Sequence, residues 1–262
     1  PDDYTVERLE RIRAKGYVER HHYSGSFVYE VASFGLWRHH GVRGTTLVGA
    51  AAFATPSNPA SVARWAGLPD FRHGVELGRF VLLDEVPGNG ETFFLARALR
   101  LLKADRPEVQ VVLSYSDPVP RLDLETGRQT FRGHYGSIYQ AANALYLGRS
   151  DPRTMFLSRR GEAVPARLFS KLRNGECGRE YAQKRIERLS GLERGSSEGP
   201  AEFLARALTS PQLRRVRHPG NHVYLFPLAR DRREKTGILG LPRVREGLER
   251  SLPYPKLLDR GA

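Results

Sequence analysis

The sequence contains a single cysteine, Cys177. An internal disulfide framework is therefore excluded, a zinc site built on cysteines equally so, and a reducing cytoplasm is the expected compartment. No apolar run approaches the ~20 residues that a membrane-spanning helix needs, so no membrane partner is expected. No signal-peptide pattern opens the chain at Pro1, although a start on proline is compatible with trimming. Lysine is scarce, and no segment repeats another.

What remains is a globular composition: 262 residues, 40% of them hydrophobic, enough to bury a core. The formal net charge is +13, and nearly all the positive charge is arginine. It is uneven. Residues 1–150 carry 18 Lys and Arg against 16 Asp and Glu, whereas residues 151–262 carry 24 against 13. A basic half joined to a near-neutral half points to a polyanionic partner, because guanidinium groups fork onto phosphates. The basic stretch is concentrated at Arg167, Lys171, Arg173, Arg179, Lys184, Arg185 and Arg188, extended by Arg214, Arg215 and Arg217. These are the expected nucleic-acid contacts.

Hydrophobic periodicity divides the chain further. Residues 4–15 read as an amphipathic helix with Val6, Leu9 and Ile12 on one side. Residues 27–37 and 45–54 read as a hairpin, 61–68 as a short helix and 74–85 as a strand. A Gly-Asn-Gly loop follows, then a helix from Thr92 and a strand over 108–118. Residues 119–133 read as a polar flap. A helix is expected over 136–148, a hairpin about Arg160-Gly161, basic helices over 165–210 and a last strand at 221–228. The expected organisation is one domain over 1–230, containing a basic helical insertion at 165–212, followed by a tail at 231–262. The expected class is α/β (α+β), with a mixed, mostly antiparallel sheet flanked by helices.

The strand, glycine loop, helix and strand over 74–118 resemble the GNAT acetyltransferase fold. The resemblance implies that free N–H groups at the helix start, made accessible by Gly88 and Gly90, bind a donor's pyrophosphate. Tyr139, Ala142, Leu145 and Tyr146 resemble a second motif of that fold, with Tyr139 replacing an asparagine. That motif makes Tyr146 a candidate proton donor to a leaving thiolate, or a core residue.

Five segments together resemble a narrower family, the Mom DNA-modification proteins of Mu-like phages and their bacterial relatives. They are HHYSG at 21–25, ELGRFVLLDE at 76–85, YSDP at 115–118, GHYGSIYQAANALYLG at 133–148 and RHPGNHVYLF at 217–226. The resemblance implies a DNA substrate and the product N6-carbamoylmethyladenine, in a phage-infected or bacterial cell. It assigns function to His22, Tyr23, Arg79, Asp117 and Tyr139, with Ser114, His134, Asn221 and His222 in supporting positions.

Chemistry makes each role specific. Adenine N6 is a poor nucleophile, so a transferase needs an activated acyl donor, a proton acceptor and oxyanion stabilisation. Asp117 is the candidate base or N6 hydrogen-bond acceptor, or else an Asp-Pro turn starter. Arg79, inside an apolar strand, needs an anion, with Asp117 or a donor phosphate or carbonyl as candidates. Tyr139 is placed to stack on a flipped base, donate a proton or pack beneath the strand. A metal held by His22, Asp117 and His134 is conceivable, and spacing alone does not define it. The donor is either acetyl-CoA or glycyl-tRNA, the latter making tRNA a second partner. The alternatives are an ordinary GNAT N-acetyltransferase acting on an amine and a non-catalytic nucleic-acid-binding protein.

Overall fold

The computed structural model describes residues 3–256. In chain order the elements are β1 (Tyr4–Arg8), α1 (Arg11–His21), β2 (Glu30–His39), β3 (Thr45–Ala54), α2 (Ala60–Ala66), β4 (Gly74–Leu82), α3 (Gly90–Asp105) and β5 (Val111–Ser116). Then come β6 (Arg121–Leu122), β7 (Gln129–Phe131), α4 (Ser137–Ala141), β8 (Leu145–Arg149), β9 (Arg153–Ser158) and β10 (Ala163–Val164). The chain continues through α5 (Ala166–Arg173), α6 (Arg179–Ser190), α7 (Pro200–Leu208), β11 (Leu213–His218), β12 (His222–Pro227), α8 (Arg232–Leu239) and α9 (Pro242–Glu249).

These elements form two compact units. The first comprises the chain through Ser116, Tyr135–Arg149 and the chain from His222; the second comprises Asp117–His134 and Ser150–Asn221.

The first unit holds a seven-stranded sheet in the order β1-β2-β3-β4-β5-β12-β8. Every neighbouring pair is antiparallel except β4 and β5. This is the mixed, mostly antiparallel sheet expected from the sequence. Strand alternation sorts the core into layers. Val112, Tyr224 and Phe226 face Phe94, Leu95 and Ala98 of α3. Val111, Leu113, Val223 and Leu225 instead pack with Val62 of α2, Ile238 of α8 and Val244 of α9. Ala50 and Leu9 pack with Ala14 and Val18 of α1.

Three elements differ from the sequence expectation. Residues 4–8 are a strand, paired along their whole length with β2. The helix starts only at Arg11, and the expected apolar side fails because Ile12 is 85% exposed while Ala14 and Val18 are buried. The helix expected over 136–148 stops at Ala141, and Asn143 adopts φ 58°, a left-handed conformation that asparagine tolerates. Residues 145–149 then pair with β12, so Tyr146 lies on a strand. The segment read as a tail folds into α8 and α9 over residues 232–249. Asp231 caps α8 by accepting the Glu234 amide at 2.8 Å, and Pro242 begins α9. The last part of that tail, 257–262, lies outside the described residues.

The second unit contains the sheet β10-β9-β11, the β6-β7 flap and helices α5, α6 and α7. Its core joins Leu168, Leu172, Ala182, Ile186, Phe203 and Leu213. Leu213–His218, part of the arginine-rich stretch, forms the edge strand β11.

Candidate functional site

In the first unit the site begins where two parallel strands part. β4 and β5 pair only at Gly74–Glu76 and Val111–Leu113. Beyond that, β4 stays on β3 as far as Leu82, and β5 stays on β12 as far as Ser116. The register of β4 on β3 also slips: Ala52 faces Arg79 and Phe53 faces Leu77, leaving Gly78 as an extra residue. Such a bulge re-aims the next side chain. A Cβ on Gly78 would meet Val28 Cγ1 at 2.9 Å, so glycine is the residue that fits.

Arg79, just past the bulge, points its guanidinium at neutral acceptors. Nε donates to Ser26 O at 2.7 Å, Nη1 to Gly78 O at 2.6 Å and Nη2 to Ser26 Oγ at 2.9 Å. Among the described residues Arg79 makes no ion pair. Burial lowers its pKa, and the Tyr23 phenol opposes that shift. A guanidinium has five N–H groups, and these bonds use three of them.

Tyr23 follows the end of α1. The His22 amide closes on Val18 O at 2.9 Å, and the Gly25 amide on His22 O at 2.9 Å. His22 Nδ1 lies 2.8 Å from Ser24 Oγ, and its ring is 4.2 Å from the Tyr23 ring. Tyr23 is 63% exposed. Tyr139, on α4, is buried, with its ring 5.3 Å from Tyr224 and edge-on to Phe226. Burial pushes the Tyr139 phenol up, with further upward contributions from Tyr23 and Tyr224. Tyr23 thus bears electrostatically on both Arg79 and Tyr139, and His22 stacks beside it.

Behind Tyr139 lies a polar-aromatic cluster. Tyr146 Oη is 2.8 Å from His222 Nδ1, and the Tyr135 ring is 5.5 Å from His222. The Tyr224 hydroxyl donates to Tyr135 O, and burial pushes that phenol up to about 12. Gln140 Nε2 reaches Tyr135 O at 2.9 Å and Tyr224 Oη at 3.0 Å. Gly136 adopts φ 75°, and a Cβ there would meet Tyr224 Cε2 at 2.5 Å. Tyr224 was missed in the sequence because its partners, Tyr135 and Gln140, lie 89 and 84 residues away. Ser114, expected to bind donor, is fully buried on β5, and its Oγ has no hydrogen-bond partner among the described residues.

The glycine loop, where Gly88 and Gly90 were expected to admit a donor's pyrophosphate, leads into the start of α3. The Gly90 amide closes on Pro87 O at 2.7 Å, and a Cβ at Gly90 would strike Val86 Cγ1 at 2.3 Å. Gly90 therefore serves packing, whereas a Cβ at Gly88 would meet nothing within 4 Å. Glu91 places one carboxylate in the first turn of α3, a charge unfavourable to a pyrophosphate there, whereas Glu85 pairs with Arg38.

In the second unit Asp117 is a carboxylate surrounded by donors. Oδ1 accepts the Val119 amide at 2.9 Å and lies 2.9 Å from Nε2 of the fully buried His218. Oδ2 accepts from Arg121 Nη2. The Arg121 guanidinium lies over the Phe131 ring at 4.6 Å. The His134 amide donates to Asp117 O at 2.8 Å, and burial lowers the pKa of its ring, partly opposed by the Asp117 charge. Arg153 Nη2 reaches Asn221 Oδ1 at 3.2 Å. The sequence singled out Asp117, His134 and Asn221 here, but not His218, Arg121 or Arg153. Among the described residues no group of three or more His, Cys, Asp and Glu side chains could hold a metal ion.

The basic residues divide by partner. Arg167 pairs with Glu176, and Arg185 and Arg188 share the single carboxylate of Glu162, so these three cations face two anions. Arg173 and Arg179 line a cleft of about 660 Å³ together with Asn174 and Gln183. Lys171, Lys184, Arg214, Arg215 and Arg217 form no ion pair among the described residues; the last three lie on β11.

The chain matches the Mom protein family over residues 3–242. It is 31% identical over 147 residues to the methylcarbamoylase Mom of Escherichia phage Mu, covering 56% of this chain and 54% of that one. The chain thus spans about half the length of that curated relative. Among solved structures it is similar to a putative acetyltransferase of Salmonella typhimurium determined with its cofactor acetyl-CoA, at 9% identity, covering 88% of this chain and 96% of the other, TM-score 0.40. It is also similar to a tandem GNAT protein of the clavulanic acid biosynthesis pathway, at 11% identity, covering 87% and 99% respectively, TM-score 0.42.

Proposed function

The chain belongs to the Mom protein family, and on that premise we propose that it is a transferase that converts adenine in DNA to N6-carbamoylmethyladenine. The observation that carries the reading is the Arg79 guanidinium, anchored on Ser26 and Gly78 just past the bulge where β4 parts from β5, with two N–H groups not used in those bonds.

Acyl transfer to an exocyclic amine builds negative charge on the donor's carbonyl oxygen. The two N–H groups that Arg79 has left stabilise that oxyanion, and its anchoring by Ser26 and Gly78 fixes their direction. The exposed ring of Tyr23, backed by His22, is a stacking surface for a base taken out of the duplex. Tyr139, kept protonated by burial, offers a hydroxyl proton. In the second unit, the Val119 amide, His218 and Arg121 together fix the orientation of the Asp117 carboxylate.

Glu91, in the first turn of α3, is unfavourable to a pyrophosphate bound there, which favours a donor other than a coenzyme A thioester held in that way. A glycyl ester of tRNA fits the product. Adenine N6 attacks the ester carbonyl and the tRNA hydroxyl leaves, giving N6-glycyladenine. The free glycyl amine then attacks C6 through a five-membered spiro ring. Cleavage of the original C6–N6 bond leaves –NH–CH2–C(O)NH2 on C6, with all atoms conserved. Arg173, Arg179 and the β11 arginines supply phosphate contacts to the nucleic acid.

The test is incubation of the protein and duplex DNA with tRNA charged with labelled glycine, followed by nucleoside mass spectrometry. Label in an adenine nucleoside heavier by one glycyl residue is the expected result. A product labelled from acetyl-CoA instead would make the chain an ordinary acetyltransferase.

A further inference from the structure

In the first unit the parting of β4 and β5 begins at Glu76, which with Leu113 forms the last register pair of the two strands. Glu76 stands three residues before Arg79. An uninterrupted strand would put the two on opposite faces. The bulge at Gly78 changes that. Leu77 and Phe80 both pack in the layer with Phe94. Gly78 and Arg79 between them therefore take the other face, the one on which Glu76 lies. Tyr115 shares that face, packing in the layer of Val111 and Leu113. Burial pushes its phenol up to about 12, and the charge of Glu76 adds to the shift.

The Glu76 carboxylate is half-buried and held without a cation. Oε1 accepts the Ser57 amide at 3.1 Å, and Oε2 accepts the Ser57 hydroxyl at 3.1 Å. Among the described residues Glu76 makes no ion pair. Burial raises its pKa, and the two bonds from Ser57 oppose that shift. A carboxylate offers about four acceptor positions, so about two remain. Taking a carboxylate out of water without a cation costs free energy, which a bound cation offsets.

One face of β4 thus presents an anion at Glu76 and a cation at Arg79. An aminoacyl ester is the complementary ligand. Its α-ammonium is a cation, and its carbonyl oxygen gains negative charge during transfer. In a glycyl ester the amine nitrogen and the carbonyl oxygen lie about 3 Å apart. A hydrogen bond of about 3 Å at each end extends the span to about 9 Å. Three residues of strand cover about 10 Å. We propose that the Glu76 carboxylate binds the α-ammonium group of an aminoacyl donor whose carbonyl faces Arg79, and so selects an aminoacyl ester over a simple acyl thioester. It rests on the reading of the chain as a transferase that takes a glycyl ester. An acetyl group has no N–H to give and leaves Glu76 unpaired, and a site built around a polar group rejects an analogue that lacks it.

The test is isothermal titration calorimetry on the full chain with two stable mimics of a charged tRNA end. They are 3′-deoxyadenosines carrying a 3′-glycylamido or a 3′-acetamido group, which differ only in the amine. The proteins are the wild type, Glu76→Gln and Glu76→Asp. The wild type is expected to bind the glycylamido mimic about tenfold or more tightly than the acetamido one. Glu76→Gln keeps an acceptor for Ser57 but loses the charge, so most of that preference should vanish while affinity for the acetamido mimic stays the same. Glu76→Asp should retain part of the preference. No preference in the wild type, or an undiminished one in Glu76→Gln, would overturn the role of Glu76. Nucleoside analysis separates the two claims. Label passed from glycyl-tRNA to adenine without such a preference sinks the role of Glu76 alone. A preference that Glu76→Gln abolishes, without any product in DNA, sinks the DNA-modifying reading alone.

Discussion

Nε2 of His218 stands 2.9 Å from Oδ1 of Asp117, while Nδ1 of the same ring accepts the Gly220 amide at 3.0 Å. An acceptor Nδ1 means that the ring is neutral and carries its proton on Nε2, so His218 donates to the carboxylate. With the Val119 amide and Arg121, that donor fixes the orientation of Asp117.

Replacing His218 with alanine removes a fully buried ring and one donor to a carboxylate. The expected loss is about 2–4 kcal/mol of stability. Urea unfolding measures it. His218→Gln, which can place an N–H near the lost Nε2, is expected to recover part of that loss. An unfolding midpoint for His218→Ala equal to that of the wild type would show that the ring does not hold Asp117.

Arg79 separates charge from geometry. Lysine keeps the cation but cannot reach Ser26 and Gly78 together as the guanidinium does. Arg79→Lys is expected to lower the yield of modified nucleoside about 100-fold. Melting temperature should fall by only a few degrees, about 1 kcal/mol for a chain of this size. Wild-type yield from the lysine variant would remove Arg79 from the chemistry.

Tyr23 and Tyr139 are expected to part company. Tyr23 is 63% exposed, so Tyr23→Ala should leave stability nearly unchanged while weakening DNA binding by about 1–3 kcal/mol, the contribution of one stacked base. Tyr139→Phe keeps the packed ring and removes only the hydroxyl, so it should lower product yield without altering DNA affinity. Anisotropy titration and nucleoside analysis of both variants check this, and a Tyr23→Ala protein that binds normally contradicts the stacking role.

The C-terminal helices carry a pH-dependent tie. The Arg230 amide and then Lys103 hold the Glu234 carboxyl down at about 2 from a usual 4.5. Lys103 is itself buried, 2.6 Å from Glu234 and bonded to Pro107 O and Val109 O. Because the folded pKa is depressed, the contribution is fully present above 4.5 and is lost as pH falls toward about 2. Glu234→Gln should therefore lower stability at neutral pH and narrow its gap from the wild type in acid. Denaturation curves across that range test the sign, and a gap that widens on acidification would contradict it.

Much of this fold was legible in the sequence wherever the signal is local. The hairpin of β2 and β3, the succession β4, α3, β5, the turn at Gly161 and the strand β12 follow from alternation and glycine placement. Strands β1 and β8 escaped because they have only five residues each, and β1 and β11 carry adjacent charges, Glu7-Arg8 and Arg214-Arg215, that break the alternation of a strand. Only their partners make them strands. The same holds for the site. Arg79, Tyr23 and Tyr139 stand in recognisable motifs, but the bulge at Gly78 that aims Arg79 is a property of the β3 register. His218 acquires its role from an aspartate 101 residues earlier, and no local pattern marks it.

The most direct test of the central claim is nucleoside mass spectrometry of plasmid DNA from cells expressing the wild-type chain or Arg79→Lys. The account expects an adenine nucleoside heavier by one glycyl residue in the wild-type sample and its near absence with the variant. Unmodified adenine in the wild-type DNA, with the protein expressed and folded, would contradict it.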